Sequence, residues 1–336
     1  MDTSFLFLSK ETGTNKTGQR KTSFRKDKSF FRQNNFNVRL GRSDNPEFRK
    51  RIFIDNFNDI EDHNELRLPY NRTINEFSHL TTEELDEQKL GHIPAGNSSE
   101  NIEPPPIGRG GRATPPASFD WRTRSGVVRP VQNQGQCGSC WAFAAIGAIE
   151  GQMTRLKGKN DKLSEQEIIE CVRYRGVLRG CSGGNAQWVY EHAKTHKGVT
   201  TAARNPYRGS TAGRSCNTGL ARTPGSAVTG WYNAPNDENV IKDWLFNYGP
   251  LYVSFYAGRD IYSYKNGVYT DARGECRGKT PNHAVLLVGY GSENGMDYWI
   301  LKNSWGNWGE KGFGKLRRGV RLCGFGTQSS SYPALA

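Results

Sequence analysis

Seven cysteines stand at positions 137, 140, 171, 181, 216, 276 and 323, and the first 136 residues hold none. Any covalent framework is therefore confined to the downstream part of the chain, and the upstream part must hold its shape by packing alone. When six cysteines pair, an odd count leaves one thiol over, which in an oxidising compartment marks a free, reactive group. Charge divides along the same line. Residues 1–42 carry ten Lys/Arg against three Asp/Glu, residues 43–113 eight against fourteen, and residues 114–336 twenty-eight against sixteen. An acidic segment thus precedes a basic one, and complementary fields of that kind steer association.

Residues 1–42 read as a basic N-terminal extension, polar and without period from residue 9 on, and are expected to be mostly disordered. From 46 to 65, apolar residues at 48, 52, 53, 57 and 60 form a helical stripe with an acidic outer face. Thr81-Thr82-Glu83-Glu84 starts another helix, so that 43–93 is a mainly helical segment. Residues 94–116 are dense in Pro, Gly and Ser, an exposed linker suited to cleavage. Residues 117–336 change texture. "CWAFAAIGAIEGQMTRLKG" predicts a buried helix ending near Gly158, "LSEQEIIECV" a helix opened at Ser164 by a capping box with Glu167, and "NAQWVYEHAKTHKG" a third. "PLYVSFYA", "HAVLLVGYG" and "DYWILKNSWG" read as strands. Helices first and strands later predict an α+β fold in two lobes.

The opening "MDTSFLFLSKE" has a four-residue apolar run behind Asp2, shorter than the ~7–15 residues of a secretory signal, and no run approaches the ~18 of a membrane span. Asn15, Asn71 and Asn97 head Asn-x-Ser/Thr triplets, all upstream of residue 114, and are the glycosylation candidates. The basic downstream surface suits contact with a heparin-like polyanion, while the lack of a recognition motif argues against specific nucleic-acid binding.

The stretch "QNQGQCGSCWAFAA", residues 132–145, sets Cys137 and Cys140 three apart. A redox pair belongs between a strand and a helix, but the preceding "RPVQNQGQ" reads as loop. A zinc site needs a second close pair, and Cys171 and Cys181 are ten apart. A nucleophile remains. Cys140 opens the long apolar helix, whose unpaired N–H groups favour an anion. A thiol of pKa ~8.5 is well under ~1% ionised at pH 6, and lowering it by about 4 units takes roughly 5–6 kcal/mol, more than a helix end supplies. A histidine partner is required. His63, His79 and His92 lie upstream of the linker, and His192 and His196, four apart on a helix face, read as solvated surface residues. His283, at the start of a buried strand, is held rigidly enough to act as a base. Asn303 in "LKNSW" can orient it by accepting its second N–H, with Trp305 as a cover against water. Nucleophile, base and orienter are then all present, with no cofactor and no metal.

Together "QGQCGSCWAF", "PNHAVLLVGYG" and "KNSWGNWGEKGFG" resemble the papain-like cysteine proteases of the cathepsin L branch, closely over 115–336 and loosely over 43–90. The resemblance implies a papain-like two-lobed fold: a helical left lobe, a β-barrel-like right lobe, a cleft between them, and an inhibitory prosegment in front. It implies a monomeric cysteine endopeptidase made as a zymogen, lysosomal or extracellular, acting on protein or peptide substrates with its own prosegment as inhibitor. Cys140, His283 and Asn303 take the catalytic positions, and Gln134 with the Cys140 N–H takes the oxyanion hole. Gly183 and Gly184 match the pair whose backbone holds an extended substrate. The implied disulfides are Cys137–Cys181, Cys171–Cys216 and Cys276–Cys323, leaving Cys140 free. The main specificity pocket falls to Ala186, Ser254, Pro281 and Ala284, with a floor at Gln328 or Ser329 and Trp305 beside the cleft. None of these is acidic, so apolar or neutral residues are expected at the second substrate position, P2, in place of arginine. Arg49, Phe53, Asn56, Ile60 and Asn64 fit the prosegment helix pattern, with Asn45 where a glutamate is usual. Asn75 and Phe77 keep the next motif, whereas Thr73 and His79 replace Gly and Asp. "NSWGNWG" is one residue short between its tryptophans, which is expected to shift Trp308 on the leaving-group side. A silent, substrate-binding relative is the competing reading, and the intact Cys140, His283, Asn303 and Gln134 argue against it.

Overall fold

The structure, a computed structural model, describes residues 11–14, 20–23, 45–94, 113–213, 215–327 and 330–336. Asn15, Asn97, Gln328, Ser329 and most of the expected linker lie outside the described residues. Residues 1–48 form one unit and 49–336 another. In the first, Glu11–Thr14 (β1) pairs antiparallel with Arg20–Ser23 (β2), Thr12 opposite Thr22. These eight residues depart from the disorder expected of 1–42. The threonines of these stretches are β-branched and favour extended backbone, which the overall polarity of the sequence conceals.

Helix α1, Pro46–Glu65, has the expected bounds. Asn45 accepts hydrogen bonds at Oδ1 from the N–H groups of Glu47 (3.0 Å) and Phe48 (3.4 Å), so the residue in the usual glutamate position is a helix cap. Strand β3, Tyr70–Arg72, and helix α2, Thr82–Lys89, follow. Thr81 and Glu84 form a complete capping box on α2, and Arg49 grips both oxygens of Glu84 at 2.6 Å, clamping α1 to α2.

After the short β4, Phe119–Asp120, comes α3, Cys140–Lys157, buried through most of its length because small residues (Ala142, Ala144, Ala145, Gly147, Ala148) let neighbours approach from every side. Gly158, at φ 62°, ends it. Helix α4, Glu165–Cys171, is capped by Ser164, which accepts from the Glu167 N–H at 3.0 Å. The reciprocal half of the expected box is missing. Ser164 N–H donates to Thr200 O instead, and the buried Glu167 carboxylate takes Thr200 N–H (2.7 Å), His192 Nε2 (2.9 Å) and Arg222. His192 is therefore a buried partner and not a solvated surface residue: a carboxylate removed from water needs these donors. The small hairpin β5 (Arg173–Tyr174) and β6 (Val177–Leu178) leads to α5, Ala186–Thr195, capped by Asn185.

The remaining elements are β7 (Val228–Asn233), α6 (Glu238–Tyr248), β8 (Leu251–Phe255), α7 (Arg259–Tyr262), β9 (Tyr264–Tyr269), β10 (His283–Glu293), β11 (Met296–Lys302), β12 (Phe313–Arg317) and β13 (Ser330–Leu335). Together with β3 and β4 they build one sheet in the order β3-β9-β12-β11-β10-β8-β13-β7, with β4 on β10. Only β12–β9 is parallel. One hydrophobic cluster lies under the helical lobe and another under the strand lobe.

Strand β3 extends this sheet at the β9 edge, Tyr70 opposite Gly267. Its side chains converge on Asp260, which is 1% exposed. Tyr70 donates its hydroxyl to Oδ2 at 2.7 Å, Arg72 pairs with Oδ1 at 3.1 Å, and Arg273 reaches the same oxygen at 3.2 Å. Arg72 also bonds Ser263 Oγ (2.7 Å) and Asp59 (2.9 Å). Buried charges persist when paired, so the edge accepts β3 by chemistry as well as by ladder.

Candidate active site

Cys140 is the first residue of α3 and wholly buried, and it is the one free cysteine among those described. Backbone amides of Ala284, Trp141 and Gly91 bear on its sulfur. His283 opens β10, one residue before Ala284, and β10 is fixed by pairing with β8, Ala284 opposite Ser254. The histidine's Nε2 meets Asn303 Oδ1 at 2.9 Å, and the same oxygen accepts the Ser304 N–H at 2.8 Å. Two donors on one oxygen fix the amide, so Nε2 carries the proton and Nδ1 is the basic nitrogen. That Nδ1 is buried with no hydrogen-bond partner among the described residues. The Trp305 ring covers the imidazole at 4.5 Å between centroids and is itself stacked by Tyr262 at 5.1 Å.

Gln134 Nε2 donates to Cys137 O (2.7 Å) and to Lys89 O (2.9 Å), while Ser304 Oγ donates to Gln134 Oε1 at 2.6 Å. The serine thus turns the amide so that its N–H₂ faces the cleft. Lys89 O is thus a peptide carbonyl held on the Gln134 amide.

The segment after α2 lies along the cleft floor. Gly91 and His92 donate their N–H groups to Asn282 O (3.2 and 3.0 Å), Gly184 N–H donates to Gly91 O (2.8 Å) and Ile93 N–H to Gly184 O (2.9 Å), a parallel bridge between His92 and Gly184. The approach is tight: a Cβ on Gly91 would lie 2.0 Å from Gly138 O. Gly183, at φ +93°, and Gly184 have no room either, a Cβ on them falling 2.7 Å from Gly91 O and from the Trp141 ring respectively. Lys89 Nζ donates to Gly135 O at 2.8 Å.

Burial under this segment sets the charge state. It pushes the Cys140 thiol up to about 12, against the pull of nearby backbone amides, and the His283 imidazole down to about 4, against its bond to Asn303 and helped by the Lys89 charge. Cysteine and histidine are both neutral at pH 7 in this state.

The cysteines join as Cys137–Cys181, Cys171–Cys216 and Cys276–Cys323, the three pairs the resemblance implied. Ala186, Ser254, Pro281 and Ala284 are all buried. Asn71 is exposed on β3, its Nδ2 bonded to Asn266 Oδ1 at 3.0 Å. Trp308 is buried, its Nε1–H donating to Ile261 O at 2.6 Å and its ring edge-on to Trp305. Phe77 meets Trp305 edge-on at 6.1 Å. Asn56 Nδ2 donates to Ser78 O and Leu80 O, and Asn64 bonds both the N–H and C=O of Arg72, so the two prosegment asparagines serve backbone groups.

Sequence reasoning missed Lys89, Gly91, His92, Tyr252 and Ser304. The available signal was "KLGHIP", a glycine just past a helix end, but what it packs against lies far along the chain.

A profile described as Papain family cysteine protease matches residues 115–333. Cysteine proteinase 3 of Solanum lycopersicum is 38% identical over 296 residues, 86% of this chain and 79% of the relative. Pro-cathepsin H of Mus musculus is 35% identical over 293 residues, 85% and 84%. Among solved structures, digestive procathepsin L 3 of Tenebrio molitor larval midgut superposes with a TM-score of 0.77 at 32% identity, covering 92% of this chain and all of that one. A recombinant stem bromelain precursor gives 0.76 at 33%, covering 91% and 98%. These likenesses define a cysteine-type endopeptidase carrying a prosegment. The chain belongs to the papain family of cysteine proteases. Relatives named for cathepsin H and structures named for procathepsin L match at similar identity, so the cathepsin L branch is not distinguished.

Proposed function

We propose that this chain is an autoinhibited zymogen whose released domain hydrolyses peptide bonds through a Cys140–His283 pair. Cys140 Sγ passes its proton to His283 Nδ1 and attacks the scissile carbonyl carbon. Gln134 Nε2–H and the Cys140 N–H hold the oxyanion. The imidazolium returns the proton to the departing amine, leaving a thioester, and His283 then deprotonates the water that cleaves it. The observation that carries this reading is the polarity of the histidine: Nε2 is bonded to Asn303, Nδ1 is free, and the next residue's amide bears on the Cys140 sulfur. An epoxide-type thiol inhibitor should label the acid-activated protein once, at Cys140, and abolish peptide hydrolysis. A protein that stays unlabelled and silent would be the binding relative instead.

No acidic residue lines Ala186, Ser254, Pro281 and Ala284, so P2 takes apolar or neutral side chains. Phe-Arg reporters should be cleaved at least about tenfold faster (kcat/KM) than Arg-Arg reporters, since an unpaired arginine head costs well over 1.4 kcal/mol to bury. A preference for Arg-Arg would refute this. The three disulfides suit an oxidising compartment, lysosomal or extracellular.

Release by acid follows from the prosegment's histidines. His63, His79 and His92 are all buried, and burial holds each imidazole below its ordinary value, His92 at about 3. His92 faces the His283 ring, whose charge would repel a second one, and the Tyr252 hydroxyl. A docked group with a depressed pKa favours docking fully above the free value of about 6.5 and loses that advantage as pH falls below it, about tenfold per pH unit until the docked value. Asp59 and Glu84, held below the carboxylate range by Arg273, Arg72 and Arg49, lose theirs only at lower pH. Between pH 6.5 and 4.5 the histidines therefore govern. His92→Asn, which does not titrate, should flatten the rise in activation rate of the full-length zymogen over that range by about tenfold or more. An equally steep rise would assign the trigger elsewhere.

A further inference from the structure

We propose that Tyr252 is a specificity-determining residue whose hydroxyl selects substrates with a neutral hydrogen-bonding atom on Cγ of the P2 side chain, asparagine or neutral histidine, over leucine. This rests on the peptidase reading above and narrows its expectation of an apolar or neutral P2 residue.

The chain itself displays the contact. His92 is bridged to Gly184, the backbone proposed to hold an extended substrate, and its Nδ1 lies 2.8 Å from the Tyr252 hydroxyl. Tyr252 is the second residue of β8, wholly buried, and packs in one cluster with Ala186, Ala284, Cys140 and Trp141. When the prosegment leaves, that phenol loses the imidazole that satisfies it, and a buried hydroxyl without a partner is unfavourable. Two residues on, and so on the same face of the strand, Ser254 presents a second hydroxyl, wholly buried and without a hydrogen-bond partner among the described residues. Among the described residues the pocket therefore presents two hydroxyls. An aliphatic side chain leaves both hydroxyls unmatched; a neutral polar one answers at least one of them.

Reach decides which polar side chain. In His92 the bonded nitrogen is attached directly to Cγ. Asparagine places its amide oxygen and nitrogen at the same distance from the backbone, and leucine places methyl groups there, so asparagine and leucine differ in polarity at nearly equal shape.

The test uses the activated enzyme and peptide reporters identical except for His, Asn or Leu at P2, at a pH above the ordinary imidazole value of about 6.5. Wild type should cleave the His and Asn peptides at least as fast as the Leu peptide. In Tyr252→Phe the Asn-to-Leu and His-to-Leu ratios of kcat/KM should each fall about 3–10-fold, the worth of one neutral hydrogen bond. Ratios that agree within twofold between the two enzymes overturn the assignment. So does a wild type that favours Leu over Asn by more than tenfold, which decides the matter even if Tyr252→Phe fails to fold. If wild type cleaves none of the peptides, the peptidase reading itself falls.

Discussion

Replacing Gly91 by alanine is expected to make the uncleaved zymogen hydrolyse a small reporter peptide at neutral pH, about 10–100-fold faster than the wild-type zymogen. The new methyl would lie 2.0 Å from Gly138 O and 2.6 Å from Gly138 C. These are backbone atoms, which cannot turn aside as a flexible side chain would. Nor has Gly138 room to retreat, since a Cβ there would meet Cys181 O and Leu90 O at 2.5 Å, and its neighbour Cys137 is tied to Cys181. The segment must lift instead, losing the Gly184–Gly91 and Ile93–Gly184 hydrogen bonds. Overpacking of this kind typically costs about 1–3 kcal/mol, which gives the stated range. Thermal unfolding of the activated enzyme should be unaffected, because Gly91 has by then been removed. A Gly91→Ala zymogen as silent as wild type would show that these contacts do not hold the cleft closed.

The second large effect concerns the sulfur. Alkylation of Cys140 by iodoacetamide in the intact zymogen should be slow and should climb with pH through neutrality without a plateau. A thiol pushed from 9.0 to about 12 carries about 1,000-fold less thiolate at pH 7 than an ordinary cysteine. Once the segment is gone, water reaches the pair, and the effect that raised the thiol and lowered the imidazole relaxes in both at once. Proton transfer from Cys140 to His283 then becomes favourable, and alkylation should turn fast and level off at mildly acidic pH. On this reading the prosegment holds the pair uncharged as well as covered. Matching pH profiles before and after activation would contradict this.

Much of the site was legible because its parts are local. Cys140 at the mouth of an apolar helix, His283 at the head of a buried strand and Asn303 before a tryptophan each announce themselves within a few residues, and the cost of a thiolate demands that they meet. Helix α1 was legible for a similar reason, its stripe running between Asn45 and Glu65. What failed was relational. Ser164 and Glu167 have the spacing of a capping box, yet the acid is buried and claimed by His192, Arg222 and Thr200, from elsewhere in the chain. Gly91 matters only opposite Gly138, and Tyr252 only beneath His92; no window of sequence contains either pair. The pairing of β1 and β2 was hidden in a stretch whose composition resembles disorder.

The strand Tyr70–Arg72 completes a sheet and neutralises Asp260, and both services end when the precursor is cut. The product therefore keeps a bare edge and an acid with Arg273 as its main remaining counterion. It is expected to unfold more readily than the form from which it came. On the zymogen reading, maturation also starts a clock: the same cut that frees the enzyme to work is expected to shorten the time for which it can.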